Sequence, residues 1–181
     1  MNDILDVIKD RRTIRKYTDE PIREEHRAAL FSAMERAQSW NNSQCWEVVE
    51  IRDPELRNQI QKTVPPRNPA FKAIVDAPML LAVCARKGCS GTLGDDVMVT
   101  KHGDWYMYDL GIATQNLCLA AHSLGLGTVV VGWFDIEGAE KVIKVPQGVE
   151  LVSLIPVGYR NQKGVTPKHK PANEFVHIDT F

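Results

Sequence analysis

The sequence lacks most of the short motifs that identify nucleotide-binding and hydrolytic enzymes. It contains no GxxxxGK[ST] segment, which excludes a P-loop, and neither a GxSxG nor an HExxH segment. The four cysteines form no CxxC pair and have no zinc-ligand spacing to other cysteines or histidines. We therefore expect free thiols and no metal site, and we interpret Asp95 and Asp96 as part of a solvated loop.

An excess of one charge and long apolar runs are also missing. The formal net charge is -1, so no overall positive field attracts nucleic acid. The first residues are too polar for a signal peptide, and the most apolar stretch, residues 105–124, still includes Asp109 and His122. These absences predict a cytoplasmic protein that binds neither nucleic acid nor membrane.

The residues that are present predict one α+β domain over residues 1–181, with a central sheet flanked by helices. Helices are predicted over residues 2–10, 23–38, 54–63, 71–77, 104–124 and 137–144, and strands over 46–51, 79–85, 128–131 and 151–157. The helix over 104–124 is apolar nearly all round, which favours a long buried central helix. Asp104 is the expected N-cap and Gly125 the C-terminal stop of this helix.

Two basic clusters stand near the ends of the chain. The segment RRTIRKY (residues 11–17) contains Arg11, Arg12 and Arg15, and TPKHKP (residues 166–171) contains Lys168 and Lys170. Guanidinium groups match the oxygens of phosphate, although a solvated basic surface is the alternative interpretation of either cluster alone. If the chain ends meet, the two clusters together would bind a phosphate dianion.

The segment SWNNSQCW (residues 39–46) places four polar side chains between two tryptophans. A flat ligand with a polar edge would use both kinds of residue, because its faces need apolar contact and its rim needs donors and acceptors. Trp46 begins a predicted strand and is expected in the core, so Trp40 is the better candidate for a pocket wall.

Glycines in GLGTVVVG (residues 125–132) only loosely match a dinucleotide fingerprint. They follow a helix and enter a strand, which is the reverse of the required order. Gly127 is therefore interpreted as a turn residue. Gly132 stands at a strand end beside Trp133, where a glycine allows a ligand to approach backbone N–H groups.

The order of RRTIRKY, AQSWNNSQCWEVV, DLGIATQNLCLAAHSLGLGTVVVGWFD, VGY and KHKP resembles the FMN-dependent nitroreductase family over nearly the whole chain. The resemblance implies a mostly antiparallel sheet in an intertwined homodimer with two FMN sites at the subunit interface. It also implies an enzyme that passes hydride from NAD(P)H through flavin N5 to an electron-poor acceptor, such as a nitroaromatic or a quinone.

The same resemblance implies roles for individual residues. Those that would hold the flavin phosphate and part of the ring edge are Arg11, Arg12, Thr13, Arg15, Lys168 and Lys170. Those in the loop that would reach the ring from the other subunit are Ser39, Trp40, Asn41 and Asn42, supported by Gln44 and Trp46. Those at the strand end over the flavin are Val131, Gly132 and Trp133.

Several positions depart from the family pattern. Gln38 and Cys45 stand where prolines are common, and Trp40 replaces a smaller residue and should narrow the cavity. Asn68 and Lys72 lie near a segment that often contributes a further flavin contact, and residues 86–103 occupy the region of the substrate lid. Two alternatives stay open: a specialised flavin reaction such as reductive dehalogenation or flavin breakdown, and a flavin-binding or regulatory protein with little turnover.

Overall fold

The computed structural model describes residues 3–94 and 97–181, so Asp95 and Asp96, interpreted above as a solvated loop, lie outside the described residues. The α-helices are α1 (Ile4–Asp10), α2 (Glu24–Glu35), α3 (Pro54–Thr63), α4 (Ala73–Asp76), α5 (Tyr106–Ser123) and α6 (Ile136–Ile143). The strands are β1 (Trp46–Glu50), β2 (Met79–Arg86), β3 (Leu126–Thr128) and β4 (Val149–Tyr159). Short 3-10 turns cover Trp40–Asn42 and Ala172–Glu174.

The four strands form one sheet in the order β1-β2-β4-β3, and each neighbouring pair is antiparallel. Val48 of β1 lies opposite Val83 of β2, and Ala82 of β2 lies opposite Leu154 of β4. The mostly antiparallel α+β sheet expected from the sequence is therefore confirmed.

Alternate residues of β2 pack on opposite faces of the sheet, as the period of a strand requires. Leu81 and Val83 join a hydrophobic cluster with residues of α2 and α5. Leu80 and Ala82 join a second cluster with residues of α3, α4 and α6. Because both faces are covered, β2 consists of a continuous apolar run in the sequence.

Helix α5 has 18 residues, or about 27 Å at the standard rise. It packs on the sheet through a buried face that includes Leu110 and Leu117. Trp105 takes the N-cap position predicted for Asp104, whose carboxylate instead accepts a hydrogen bond from the Tyr106 N–H. Gly125, at φ 81°, follows the last turn as predicted.

Strand β3 begins and ends earlier than predicted, and the N-terminal segment packs against it. The Ile14 N–H donates to the Thr128 carbonyl at 2.9 Å. A Cβ at position 127 would lie 2.5 Å from the Ile14 Cβ, so only glycine fits there. The interpretation of Gly127 as a turn residue is therefore wrong: it is a strand residue that lets the basic segment approach. Val131 lies beyond β3 and forms a separate bridge with Leu154.

The four cysteines are free thiols, in agreement with the sequence analysis. Over residues 3–94 and 97–181, no group of three or more His, Cys, Asp or Glu side chains is placed to hold a metal ion. Within the same ranges, no helix has the length and apolar character needed to cross a bilayer.

Candidate functional site

The basic segment near the N-terminus lies against the C-terminal segment. Tyr17 forms an antiparallel bridge with Arg160, and the Arg12 Nε donates to the Thr166 Oγ1 at 3.0 Å. A Cβ at Gly164 would clash with the Arg12 Cβ, so the backbone of one segment touches a side chain of the other at this point. The N-terminal and C-terminal basic segments therefore meet, which is the condition given in the sequence analysis for a joint phosphate site.

A groove of about 260 Å³ lies where these segments meet. It is lined by Arg11, Arg12, Thr13, Arg15, Gln162, Val165, Pro167 and His169. The Arg12 guanidinium also donates to the Lys9 and Arg11 carbonyls, which fixes its position. Among the described residues, neither the Arg11 nor the Arg15 guanidinium has a hydrogen-bond or ion-pair partner. Two cationic groups of the groove are thus free to bind an anion.

The predicted lysines of the C-terminal cluster do not line this groove. Lys168 and Lys170 are exposed beside it, whereas His169 between them contributes to the wall. Val165, Pro167 and His169 line the groove with Arg11 and Arg12, so alternate residues of the C-terminal segment face the groove. The structure thus brings the N-terminal cluster and His169 together more closely than the two lysines.

A larger cavity of about 630 Å³ adjoins the groove, since Arg15 and Gln162 line both. Its other lining residues are Lys16, Tyr17, Pro66, Asn68, Pro69, Phe71, Lys72, Asp76 and Asn161. Asn68 and Lys72 have no assigned role in the sequence analysis. The position of Asn68 in the proline-rich VPPRNP segment could have indicated a lining residue, because prolines hold a loop in place.

Asn68 connects this cavity to the chain beyond β3. Its Nδ2 donates to the Trp133 carbonyl at 3.0 Å, and its Oδ1 accepts from the Ala70 N–H. Val131 is buried and paired with Leu154, but Gly132 and Trp133 are exposed.

The prediction that Gly132 stands at a strand end is wrong, because β3 ends at Thr128 and Gly132 lies in the segment beyond it. Among the described residues, no atom other than those of its chain neighbours lies within 4 Å of a Cβ built at Gly132. Within the described part of the chain, the Gly132 and Trp133 N–H groups have no acceptor. Adjacent backbone N–H groups without an acceptor suit a ligand heteroatom.

Loop 39–46 is built around a buried carboxylate. Asp109 of α5 is 1% exposed, and both of its oxygens accept from the Trp40 N–H at 3.0 Å. One oxygen also accepts from the hydroxyls of Ser43 at 3.1 Å and Ser90 at 2.7 Å. A buried carboxylate needs such donors, and here they fix the loop against α5 and against residues 86–105.

The polar residues of the loop are partly required by its backbone. Asn41, Asn42 and Gln44 have φ values of 44°, 56° and 45°, in the left-handed region. Asparagine tolerates that region better than most residues, which accounts for the first two. The Ser39 Oγ accepts from the Gln44 N–H and closes the turn. The exposed amides are therefore turn residues that also remain available to a ligand.

Trp40 is held by the loop of residues 86–105. Its Nε1 donates to the Thr92 carbonyl at 2.7 Å, and its ring packs edge-on against Trp105 at 5.3 Å between centroids. A cavity of about 380 Å³ between the two loops is lined by Trp40, Asn41, Ser43, Gly88, Cys89, Thr92, Leu93 and Gly94. Trp46 packs against the core, as predicted.

Among the residues that the structure describes, none lines both the loop cavity and either the groove or the larger cavity. Within one chain, therefore, residues 39–46 and the basic cluster line separate spaces. The Trp133 carbonyl is bonded to Asn68, which lines the larger cavity together with Arg15.

Burial keeps two potential nucleophiles of this region, the Tyr17 hydroxyl and the Cys45 thiol, in their protonated forms. Burial raises the pKa of Tyr17, whose hydroxyl donates to the Ile14 or Pro156 carbonyl and stays protonated. Burial, with nearby Asp109, raises the pKa of the Cys45 thiol to about 12. The described side chains can bind an anion and a flat polar ring, while a bound cofactor would have to supply the reactivity.

Comparisons with known proteins find similar sequences and structures. A family model described as "Nitroreductase family" matches residues 8–159. The chain is 33% identical over 161 residues to a protein of Methanothermobacter thermautotrophicus assigned as an NADH dehydrogenase/NAD(P)H nitroreductase, covering 87% of this chain and 77% of that one.

Similar structures and relatives extend over the whole chain. The NADPH:FMN oxidoreductase from Vibrio harveyi, solved in complex with NAD+, superposes with a TM-score of 0.83 at 27% identity, covering 99% of this chain and 78% of that chain. An iodotyrosine deiodinase from Thermotoga neapolitana is 26% identical over 204 residues, covering 100% of both chains.

Proposed function

Because this chain belongs to the nitroreductase family, we propose that it is an FMN-dependent enzyme that passes hydride from NAD(P)H to an electron-poor acceptor, such as a nitroaromatic or a quinone. The family resemblance drawn from the sequence is confirmed, as are the class of NAD(P)H-dependent oxidoreductase and FMN as its cofactor. The acceptor, the roles of individual residues and the dimer are proposals.

The adjoining basic groove and larger cavity are the observation that supports this function best. The groove has two guanidinium groups without a partner among the described residues, and it suits a phosphate dianion. The cavity of about 630 Å³ has polar groups at its edge and room for a ring system. Arg15 lines both spaces, so one ligand with a phosphate at one end and a ring at the other fits them together.

The chain's own residues would bind and orient the cofactor, which supplies the hydride chemistry when bound. Arg11, Arg12 and Thr13 would bind the phosphate. Arg15 lies at the junction, where its positive charge would stabilise negative charge that develops on the ring. The exposed N–H groups of Gly132 and Trp133 would donate to a ring heteroatom. No side chain of the described residues is needed as an acid or base, because water can supply the proton.

The separation of the two cavities supports a homodimer. Residues 39–46 form a rigid polar loop with exposed amides at Asn41 and Asn42, but in one chain this loop does not line the basic groove. We propose that the loop of a second copy completes the site, with Ser39, Trp40 and Gln44 holding its shape. Each copy would then contribute to two FMN sites at the interface.

Reductive dehalogenation is the second candidate function. It is favoured by the similarity to an iodotyrosine deiodinase over the full length of both chains. The third possibility, a binding protein with little turnover, was based on Trp40 blocking the nicotinamide and on a loosened loop. Because the loop is bonded to Asp109 and Trp40 is bonded to Thr92, a loosened loop gives that possibility no support.

An absorbance spectrum of the purified protein tests the proposal. Flavin bands at about 370 and about 450 nm should be present or appear on reconstitution with FMN, and anaerobic NADH or NADPH should bleach them. Bleaching followed by reoxidation with a nitroaromatic or quinone supports the reductase. Iodide release from iodotyrosine without nitroaromatic reduction would favour the dehalogenase, and bound FMN that neither donor reduces would favour the binding protein.

A further inference from the structure

An arginine stacked on a tryptophan stands at the rim of the larger cavity. The guanidinium carbon of Arg67 lies 4.9 Å from the centre of the Trp133 ring. Arg67 is exposed, and Trp133 is 47% exposed. A guanidinium that stacks on an aromatic face keeps the N–H groups at its edge free to bind an oxyanion.

Neighbouring residues fix this pair relative to the cavity. Pro66 and Asn68, on either side of Arg67 in the chain, both line the cavity. Asn68 donates to the Trp133 carbonyl and so joins the arginine loop to the residue on which Arg67 stacks. The prolines of VPPRNP restrict the backbone on both sides of Arg67. The guanidinium is thus positioned before any ligand binds.

The charge around this rim is mainly positive. Arg15, Lys16 and Lys72 line the cavity, and Asp76 is the single carboxylate among its lining residues. Within the ranges that the structure describes, Arg67 takes part in no ion pair. Arg67 also does not line the groove assigned to the flavin phosphate, so its charge is not required there.

We propose that Arg67, supported by the Trp133 ring, forms an anion subsite for a reactant at the mouth of the cavity. The anion would be the 2′-phosphate of NADPH or the carboxylate of an aromatic acceptor. The inference rests on the proposed function, because a reactant would reach this rim only when the flavin ring occupies the cavity beneath it. An anion subsite at Arg67 would make the enzyme prefer anionic reactants, a property that the fold alone does not determine.

The test compares Arg67→Met with Arg23→Met, which removes the same charge from an exposed arginine outside the cavity. Two ratios of kcat/KM are measured: NADPH over NADH with a neutral quinone, and 4-nitrobenzoate over 4-nitrobenzyl alcohol with the preferred donor. In Arg67→Met one ratio should fall about tenfold, the effect of losing one charge-assisted hydrogen bond. Arg67→Lys should lie between Arg67→Met and wild type, because it keeps the charge but not the planar stacking.

The two ratios distinguish the source of the anion. A lower donor ratio identifies the nucleotide phosphate, and a lower acceptor ratio identifies the carboxylate. If both ratios stay within about twofold of wild type, or if Arg23→Met lowers them equally, Arg67 is not an anion subsite.

Direct binding separates failure of the subsite from failure of the proposed function. Calorimetric titration of the FMN-loaded protein with 2′,5′-ADP and with 4-nitrobenzoate does not depend on turnover. The Kd of one ligand should rise about tenfold in Arg67→Met. Unchanged affinities in a protein that binds FMN and is reduced by NAD(P)H overturn the subsite alone. A wild-type protein that cannot bind FMN overturns both proposals.

Discussion

Loop 39–46 is held by hydrogen bonds to a buried carboxylate of the same chain, whereas the basic groove leaves two guanidinium groups without an acceptor among the described residues. In the loop, the Trp40 N–H and the Ser43 hydroxyl donate to Asp109, which is 1% exposed. In the groove, Arg11 and Arg15 have no partner among the described residues. The loop is therefore fixed in place without a ligand, whereas the groove has cationic groups that can still bind an anion.

This difference indicates what each half contributes. Hydrogen bonds to a buried carboxylate fix the loop before binding, so little ordering entropy is lost when it contacts a ligand. Adjacent positive charges repel each other until an anion neutralises them, so the groove should be stabilised by phosphate-containing ligands. The loop should therefore respond to substitution mainly in stability, and the groove mainly in ligand affinity.

The largest expected effect is at Asp109. Asp109→Ala removes the acceptor of the Trp40, Ser43 and Ser90 donors and should lower the free energy of unfolding by about 3 kcal/mol. Urea denaturation measures the loss. Asp19→Ala, at an exposed aspartate, is the control and should change stability by less than about 0.5 kcal/mol. Equal effects of the two substitutions would mean that the loop does not depend on Asp109.

The next effect is on cofactor affinity. Arg15→Ala should weaken FMN binding about tenfold or more, with little loss of stability in the apoprotein, because Arg15 is exposed and unpaired within the described ranges. Lys170→Ala, beside the groove, should weaken FMN binding less. Fluorescence titration with FMN gives both constants. Normal FMN affinity in both variants would contradict the phosphate assignment.

A smaller effect is expected at Trp40. Trp40→Ala removes the hydrogen bond to the Thr92 carbonyl and the contact with Trp105, and it enlarges the space between the two loops. The kcat/KM for bulky acceptors should rise several-fold relative to small ones. Trp40→Phe keeps most of the ring and should stay near wild type. The same relative rates across small and bulky acceptors in all three proteins would remove Trp40 from the acceptor pocket.

The last expected effect is a pH dependence of stability. Burial raises the pKa of the Cys45 thiol to about 12 in the folded protein, above the unfolded value of 9.0. The folded state therefore holds this proton more tightly, so the stabilisation is complete below about pH 9 and is lost as the pH rises toward 12. Between pH 8 and pH 11, Cys45→Ala should lose stability less steeply than wild type in urea denaturation. Parallel slopes would contradict a buried neutral thiol at this position.

The elements with clear periodicity could be predicted from the sequence. Helix α3 (Pro54–Thr63) was predicted with its observed bounds because Pro54 marks its start, and β2 was predicted from its continuous apolar run. The basic cluster was recognised from the residues themselves, and the roles that the family resemblance gave to residues 131–133 stay predictions. These features depend on local residue patterns or on the order of motifs along the chain.

Features that depend on contacts between distant segments could not be predicted. Gly127 was interpreted as a turn residue because it follows a helix. Its contact with Ile14 was not visible in the sequence, since the two residues are more than a hundred positions apart. Asp109 was noted only as an interruption of an apolar stretch, although one carboxylate on an otherwise apolar helix was a signal for buried donors. The importance of His169 over its neighbouring lysines depends on which way the extended segment faces, and residue type does not determine that.

The attachment of residues 86–105 to loop 39–46 has a consequence for enzyme engineering. Ser90 and Thr92 bind to Asp109 and Trp40, so they form the fixed base of this segment. A mutant library that randomised the whole segment would lose most of its members to misplacement of loop 39–46. Keeping Ser90 and Thr92 constant while varying exposed positions such as Leu93 and Val97 should yield altered acceptor preference in a larger share of folded variants.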